Sequence, residues 1–403
     1  MKPHVYIINC PPGWTKTPPM ALAYLTNYLH HNEVDTQAID LNIELFKYLG
    51  QPKESWLGLD AAFENNLFHQ VSSSHPEFIA STIARLADAT IIGFSLFKRN
   101  ASFTFQLAEK IKKTYPNKQI VIGGPHVMQL EKENRLSNDY TWVIGEGESA
   151  LLEIARGSDK KLFKFEETPN LDSLPQLDFD MFNLKNYSSV LPLLSSRGCK
   201  FNCAFCSERL LYKKFRMQSP ECTARQIKEL KEKYKCSTFV FCDSMINSDN
   251  AWLESFCRIL IKQKLNIKWE AQFRIAAAFT QQTAELMRES GCYNLFIGLE
   301  SGTDNTLKVM RKGYIGSTAK ECLAVLRDAG LHYEISLIFG YPGESEEDFQ
   351  ATIDFIVNNK TIIPKIAQAN PFVDYLNDFP GQTFSSPDGL ARVERFLKIF
   401  LRI

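Results

Sequence analysis

The chain has 403 residues, of which 44% are hydrophobic and 23% are charged, with 46 basic and 46 acidic side chains. This length favours two or three domains, and the composition argues against a disordered, collagen-like or membrane-embedded protein. The balanced charge leaves no net field to attract nucleic acid, so it favours a small-molecule or peptide substrate.

The first 155 residues alternate apolar strand patterns with amphipathic helix patterns. Continuous apolar strands between helices predict a doubly wound, Rossmann-like parallel sheet with helices on both faces. We interpret residues 51–74 as an insertion or lid, because they lack a regular period. The predicted elements are His4–Asn9, Met20–His31, Val34–Ile39, Thr90–Ser95, Ala101–Tyr115, Gln119–Gly123 and Tyr140–Ile144.

Four of these strands end in residues that let the backbone approach a ligand closely. Ligands of parallel sheets bind beyond the carboxyl ends of the strands, and glycine permits both a tight turn and a close approach. Turns between strands and helices also need glycine or proline without any ligand, and this alternative stays open for each loop. The candidate cofactor contacts are Pro12, Phe94, Ser95, Gly123, Gly124, Pro125, Gly145 and Glu146.

Residues 156–187 break the pattern with a Lys-rich patch and Pro-bearing turns, which is typical of a linker between domains. Strands and helices alternate again over residues 188–368, and they predict a partial (β/α)6 barrel with its active site at the carboxyl ends of the strands. Residues 369–403 form a short C-terminal segment that we interpret as a lid. The predicted barrel strands are Val190–Ser195, Thr238–Cys242, Ile267–Ala271, Tyr293–Gly298, His332–Phe339 and Ile362–Gln368.

Ten cysteines without a signal peptide predict a cytoplasmic chain with reduced thiols, and spacing indicates which of them bind metal. Cys199, Cys203 and Cys206 lie on one loop after the first barrel strand. Three thiolates there can bind three irons of a cubane and leave the fourth iron open. A zinc site, a redox dithiol or an accidental grouping remain as alternatives. Six other cysteines are predicted to be buried apolar residues: Cys10, Cys236, Cys242, Cys257, Cys292 and Cys322.

The cysteine loop resembles the CxxxCxxC motif of the radical S-adenosylmethionine (SAM) superfamily, in which an aromatic residue, here Phe205, precedes the last cysteine. Within the superfamily, the chain resembles the group with an N-terminal cobalamin-binding domain, from its N-terminus to about Pro342. That resemblance also rests on the proline-rich first loop, Gly123-Gly124-Pro125-His126, Gly145-Glu146-Gly147-Glu148, Leu171–Pro175 and Arg197-Gly198-Cys199.

The resemblance implies a [4Fe-4S] cluster held by the three cysteines, with SAM bound at the open iron. An electron from an external reductant such as flavodoxin or ferredoxin would cleave SAM to methionine and a 5′-deoxyadenosyl radical. Each candidate also has a structural alternative: Glu300 can cap a turn, and Arg274 can form a surface ion pair. The residues implied to bind SAM are Phe205, Asp243, Gln272, Arg274, Glu300 and Ser301.

Cobalamin is implied as a further cofactor, but its residue-level support is incomplete. The first loop lacks the histidine that many cobalamin domains use as the lower cobalt ligand, and His126 is interpreted as a loop-packing residue. Cobalamin-dependent methyl transfer is the leading hypothesis. The alternatives are a vestigial cobalamin domain with a rearrangement or aminocarboxypropyl transfer, and a non-catalytic iron-sulfur or zinc-binding protein. A methylthiotransferase is disfavoured, because only Cys10 precedes Cys199.

Overall fold

The computed structural model describes residues 4–52, 56–58, 60–374 and 387–400. The chain forms two compact units, Met1–Pro192 and Leu193–Ile403. Within the described ranges, no helix combines the length and the apolar character needed to cross a membrane.

The first unit contains a parallel sheet of six strands in the order β2-β1-β3-β4-β5-β6. Val5 of β1 pairs with Thr36 on one side and Ile91 on the other. The chain therefore reverses its direction across the sheet between β1 and β3, which is the switch point where such sheets bind ligands. The strands are β1 (His4–Asn9), β2 (Asp35–Asp40), β3 (Ile91–Ser95), β4 (Gln119–Gly123), β5 (Thr141–Ile144) and β6 (Leu162–Lys164). The predicted doubly wound sheet is confirmed.

Helices cover this sheet, and several were not predicted from the sequence. The poorly periodic stretch 51–74 contains a helix whose N-cap, Asp60, accepts hydrogen bonds from the amides of Ala62 and Phe63. Only three of its fourteen residues are buried, so its apolar stripe is too narrow to detect by period. The helices are α1 (Met20–His31), α2 (Leu41–Leu49), α3 (Ala61–Ser74), α4 (Pro76–Ala84), α5 (Ala101–Thr114), α6 (Val127–Lys132) and α7 (Glu148–Ala155).

The second sheet has six strands in the order β14-β13-β12-β11-β10-β7, so strands that follow each other in it are neighbours in space, and all of them except β7 belong wholly to the second unit. Those from β10 to β14 pair in parallel, as a partial barrel requires. The last strand begins at Ile366, four residues later than predicted from Ile362. The strands are β7 (Leu191–Leu193), β10 (Thr238–Phe241), β11 (Lys268–Phe273), β12 (Cys292–Glu300), β13 (Tyr333–Phe339) and β14 (Ile366–Pro371).

A short antiparallel pair, β8 (Ser196–Arg197) and β9 (Arg216–Met217), flanks the cysteine loop. Buried aromatic residues between the strands and the helices form the core, as shown by Phe339 of β13 packing edge-on against Phe349. The helices are α8 (Glu208–Leu211), α9 (Pro220–Tyr234), α10 (Asn250–Lys262), α11 (Gln281–Glu289), α12 (Asp304–Val309), α13 (Gly316–Asp328), α14 (Glu346–Asn358) and α15 (Pro387–Phe400).

Candidate active site

The cysteine loop leaves β8 through Gly198, whose φ of +83° belongs to the left-handed region. A Cβ atom at this position would lie 3.0 Å from the carbonyl oxygen of Lys214, so glycine is required both by conformation and by space. Cys203 is 9% exposed, and Cys199 and Cys206 are half-buried. The three thiols are thus sheltered from solvent but not sealed in the core.

Burial makes two of these thiols, those of Cys199 and Cys206, weaker acids than a free cysteine. The pKa of Cys206 is raised to about 11, mainly by burial and to a smaller extent by the charges of Glu208, Cys203 and Cys199. The pKa of Cys199 is also raised, mainly by burial. Among the described residues, no three His, Cys, Asp or Glu side chains converge on a point that would suit a single metal ion. A cubane binds each thiolate to a separate iron, so three thiols on one loop suit it.

Arg274 follows β11 and reaches the cysteine loop. Its Nη1 atom donates to Sγ of Cys203 at 3.5 Å, and its guanidinium lies 3.8 Å from the ring centroid of Phe201. The backbone of Arg274 is held by the Asn247 side chain, which accepts from its amide at 3.0 Å and donates to its carbonyl at 2.8 Å. The structural alternative of a surface ion pair does not apply to Arg274, which is only 8% exposed.

Glu300 ends β12 in the left-handed region, with φ of +66° next to a β-bulge between Gly298 and Glu300. Its Oε1 atom accepts from Nζ of Lys312 at 3.2 Å, and the two side chains are 9% and 6% exposed. Lys312 also donates to the carbonyl of Gly298, and the Tyr314 hydroxyl donates to that carbonyl or to the one of Leu299. A non-glycine residue held at positive φ with a buried carboxylate is typical of functional sites.

Phe205 connects the cysteine loop to the pair of Glu300 and Lys312. It packs on a buried cluster of Met310, Tyr341 and Phe372, and the Lys312 ammonium is 5.6 Å from its ring. The amide of the preceding residue, Ala204, donates to the Met310 carbonyl at 2.9 Å. The structure therefore brings together the cysteine loop, Phe205, Arg274 and Glu300.

Other residues predicted to bind SAM make different contacts. Asp243 is 1% exposed, and its carboxylate accepts from the amide and hydroxyl of Ser195 and from the hydroxyl of Ser196. The Ser301 hydroxyl is completely buried against Thr352 at 3.1 Å. Gln272 is exposed near the end of β11. A role of these three residues in SAM binding stays a prediction.

Sequence reasoning missed Lys312, Tyr314 and Asn247. Nothing local distinguishes the buried Lys312 from the exposed Lys308 four residues earlier, because the burial of Lys312 depends on β12 lying beside it. The predicted burial of Cys242 is wrong, because this residue follows Phe241, the buried last residue of β10, and is exposed. Cys236 is half-buried, whereas the other four cysteines predicted as buried are so.

In the first unit, the loops that contain Gly124 and Gly145 pack closely against neighbouring loops at the carboxyl ends of the strands. Gly124 has φ of +108°, and a Cβ there would lie 2.6 Å from the Leu96 carbonyl oxygen. Gly145 has φ of +92°, and a Cβ there would lie 3.2 Å from Phe165. The alternative that these glycines serve the turns themselves is therefore favoured at these two positions.

The remaining predicted contacts of this unit differ in accessibility. Pro12, Phe94 and Ser95 are buried, whereas Pro125 is exposed and Gly123 is partly exposed. The Glu146 carboxylate is buried and accepts from the amide of Thr168 at 2.9 Å. Burial and the charge of Lys98 lower the pKa of His126, so its imidazole is neutral at pH 7.

Two large aromatic side chains are exposed in the loops after the switch-point strands. Trp14 follows β1 and is 59% exposed, and Phe97 follows β3 and is 45% exposed. Aromatic faces beside a switch point suit a flat macrocycle such as the corrin of cobalamin. The residues present therefore fit this group, although the first loop supplies no histidine.

Comparison with known families assigns a domain to each of the two parts of the chain. Residues 193–356 match the radical SAM superfamily, and residues 15–155 match the B12-binding domain. The chain therefore carries a radical SAM domain and a B12-binding domain. The first assignment implies SAM and a [4Fe-4S] cluster, and the second implies cobalamin.

Curated relatives of this radical SAM chain include methyltransferases. It is 26% identical over 368 residues to an uncharacterized methyltransferase of Pyrococcus horikoshii, covering 85% of this chain and 73% of the relative. It is 28% identical over 288 residues to the bacteriochlorophyllide d C-12(1)-methyltransferase of Chlorobaculum tepidum, covering 68% of this chain and 61% of that enzyme.

Solved structures share the fold. The cobalamin-dependent radical SAM enzyme OxsB matches with a TM-score of 0.68 and 18% identity, covering 88% of this chain and 52% of OxsB. The radical SAM methyltransferase TsrM of Kitasatospora setae matches with a TM-score of 0.66 and 15% identity, covering 89% of this chain and 74% of TsrM. This chain thus spans only about half of OxsB.

Proposed function

We propose that this protein is a cobalamin-dependent radical SAM methyltransferase that acts on a small molecule. The methyltransferase relatives and the B12-binding domain support this activity. The domain boundaries of the proposal are those predicted from the sequence, namely 1–155, 156–187, 188–368 and 369–403.

One observation carries the proposal: the cysteine loop lies beside the polar side chains that end β11 and β12. Arg274 contacts Cys203, and Lys312 links the carboxylate of Glu300 to the ring of Phe205. A non-catalytic scaffold would not need a buried acid–base pair next to its metal-binding loop, because burying such a pair costs solvation energy.

In this proposal, Cys199, Cys203 and Cys206 bind the cluster through their thiolates. The Glu300 carboxylate accepts a hydrogen bond from the amino group of SAM, and the Phe205 ring forms an apolar wall that excludes water from the nucleoside. Gln272, Asp243 and Ser301 are not part of this contact set, and their binding of SAM stays a prediction from the sequence. When bound, the cluster with SAM supplies one-electron chemistry at the sulfonium, and cobalamin supplies a methyl carrier.

The first unit would hold cobalamin at its switch point, with Trp14 and Phe97 against the macrocycle. The electron would come from an external reductant of the flavodoxin or ferredoxin type, which favours the cytoplasm as the location. The proposed substrate is neither a nucleic acid nor a membrane component, in keeping with the balanced charge of the chain.

Iron analysis tests the cluster site. The Cys203→Ala protein, reconstituted anaerobically with iron and sulfide, should lose most of its iron and its visible cluster absorption. The control is Cys257→Ala, which removes a fully buried thiol from α10 and should retain the iron of the wild type. Full iron retention by Cys203→Ala would contradict the proposed ligand set.

Product analysis tests the reaction. The wild-type protein, loaded with cluster and hydroxocobalamin, is incubated with SAM and dithionite. Transfer of the SAM methyl group to the reduced corrinoid predicts retained corrinoid absorption after desalting and formation of S-adenosylhomocysteine, and reductive cleavage of SAM by the cluster predicts 5′-deoxyadenosine. Formation of 5′-deoxyadenosine alone, without retained corrinoid, would instead support a vestigial cobalamin domain. Zinc binding without any nucleoside product would support a scaffold.

A further inference from the structure

The contact between Arg274 and Cys203 assigns a role to this arginine other than the predicted binding of the SAM carboxylate. We propose that Arg274 raises the reduction potential of the cluster by donating a hydrogen bond to the sulfur of Cys203. This inference rests on the proposed function, because it concerns the cluster that the three cysteines hold. Arg274 is then a positioning and electrostatic residue that acts through a cluster ligand.

The first support is geometric. Nη1 of Arg274 lies 3.5 Å from Sγ of Cys203, within the range of a hydrogen bond to sulfur. The guanidinium plane is fixed by Phe201 at 3.8 Å, and Tyr314 lies at 5.6 Å from the same group. Asn247 holds the backbone of Arg274 through two hydrogen bonds. The donor is therefore preorganised toward the sulfur.

The second support is electrostatic. Arg274 is 8% exposed, and no carboxylate in the described part of the chain forms an ion pair with it. A buried cation without a counter-charge is costly, and arginine stays protonated in proteins. Thiolates that hold a cluster would supply the missing negative charge, with Cys203 as the nearest sulfur.

The consequence concerns reduction. Uptake of one electron from an external reductant adds negative charge to the cluster, with no bond formed or broken. A charged donor at a ligand sulfur stabilises the reduced form more than the oxidised form, and hydrogen bonds to sulfur are a known determinant of cluster potentials. Loss of the donor should make the cluster harder to reduce.

The test is a redox titration followed by electron paramagnetic resonance on reconstituted full-length protein, without SAM. We expect Arg274→Gln to lower the equilibrium constant for one-electron reduction roughly tenfold, which is a shift of about 59 mV to more negative potential. Arg274→Lys should shift less, because it keeps the charge but not the planar fork. The control Arg258→Gln, which removes a half-exposed arginine of α10, should match the wild type.

Repeating the titration and measuring SAM affinity separates the alternatives. An unchanged potential for Arg274→Gln without SAM would overturn the inference, and a weaker SAM affinity at that unchanged potential would assign Arg274 to the SAM carboxylate. If Arg274→Gln assembles no cluster, Phe201→Leu provides the test, because it keeps the arginine and removes the ring on which the guanidinium stacks. This variant should also shift the potential to a more negative value. An unshifted potential in Phe201→Leu would overturn the inference. A wild type that takes up no cluster would instead refute the proposed function.

Discussion

Nζ of Lys312 lies 3.2 Å from Oε1 of Glu300, with both side chains almost completely buried. Removing one partner of such a pair leaves an uncompensated charge in the interior, which costs about 3–5 kcal/mol. We expect Lys312→Met to lower the free energy of unfolding of the second unit by this amount in urea denaturation. Lys308→Met, at an exposed position of α12, should change it by less than about 0.5 kcal/mol. Equal stability of the two variants would show that Glu300 finds another partner.

The carboxylate of Glu300 also depends on the absence of a side chain at Gly298. A Cβ there would lie 2.3 Å from Oε1 of Glu300, so Gly298→Ala must displace the carboxylate. We expect SAM affinity to fall at least tenfold, or by about 1.4 kcal/mol, while iron content stays that of the wild type. Equilibrium dialysis of SAM against reconstituted protein measures this effect.

The matched control for this glycine is Gly316→Ala at the start of α13. The nearest atom to its new Cβ is 3.4 Å away, which is close to ordinary contact. This variant should bind SAM like the wild type. Unchanged SAM affinity in Gly298→Ala would mean that the Glu300 carboxylate does not contact SAM.

Asp243 anchors the chain just before the cysteine loop. Its carboxylate accepts from the Ser195 amide at 3.0 Å, from the Ser195 hydroxyl at 2.7 Å and from the Ser196 hydroxyl at 2.5 Å. Asp243→Ala would leave these buried donors unsatisfied, so we expect a loss of stability of about 2–4 kcal/mol and faster loss of iron to a chelator. SAM affinity per loaded cluster should not change. Slow iron release with weakened SAM binding would instead favour the predicted SAM contact.

The stability of the first unit should depend on the ionisation of Asp40. This residue ends β2, is 4% exposed and accepts from the Tyr187 hydroxyl at 2.7 Å. Burial raises the pKa of Asp40 from its ordinary 3.8 to about 6, although the hydrogen bond from Tyr187 lowers it. The folded chain therefore holds this proton more tightly than the unfolded chain does, and stability falls as pH rises through the window between these two values.

Asp40→Asn should remove this dependence. Since one pKa unit corresponds to about 1.4 kcal/mol, we expect the variant to gain roughly 2–3 kcal/mol relative to the wild type between pH 4 and pH 7. Urea unfolding at several pH values measures the difference. For Asp159→Asn, which changes an exposed carboxylate of the same unit, the free energy of unfolding should vary with pH as it does in the wild type. If the free energy of unfolding of Asp40→Asn also varied with pH as in the wild type, the raised pKa of Asp40 would be refuted.

The sequence by itself determined the fold class, most of the strands and the cysteine motif. These features are local: apolar runs between helix patterns specify a parallel sheet, and three thiols within eight residues need no distant partner to be recognised. Short elements such as α6 and α7 escaped prediction, because six or eight residues give too little of a helical period.

Only the tertiary structure decided where the candidate side chains point. Arg274 and Cys203 are 71 residues apart, and Asp243 is 48 residues from Ser195, so their contacts depend on the register of separate strands. Successive residues of a strand face opposite sides, and the residues just past its end are further redirected by the loop, so a polar residue near a strand end can face either the ligand site or the core. That is why Glu300 and Arg274 lie beside the cysteine loop, whereas Asp243 and Ser301 are directed into the protein.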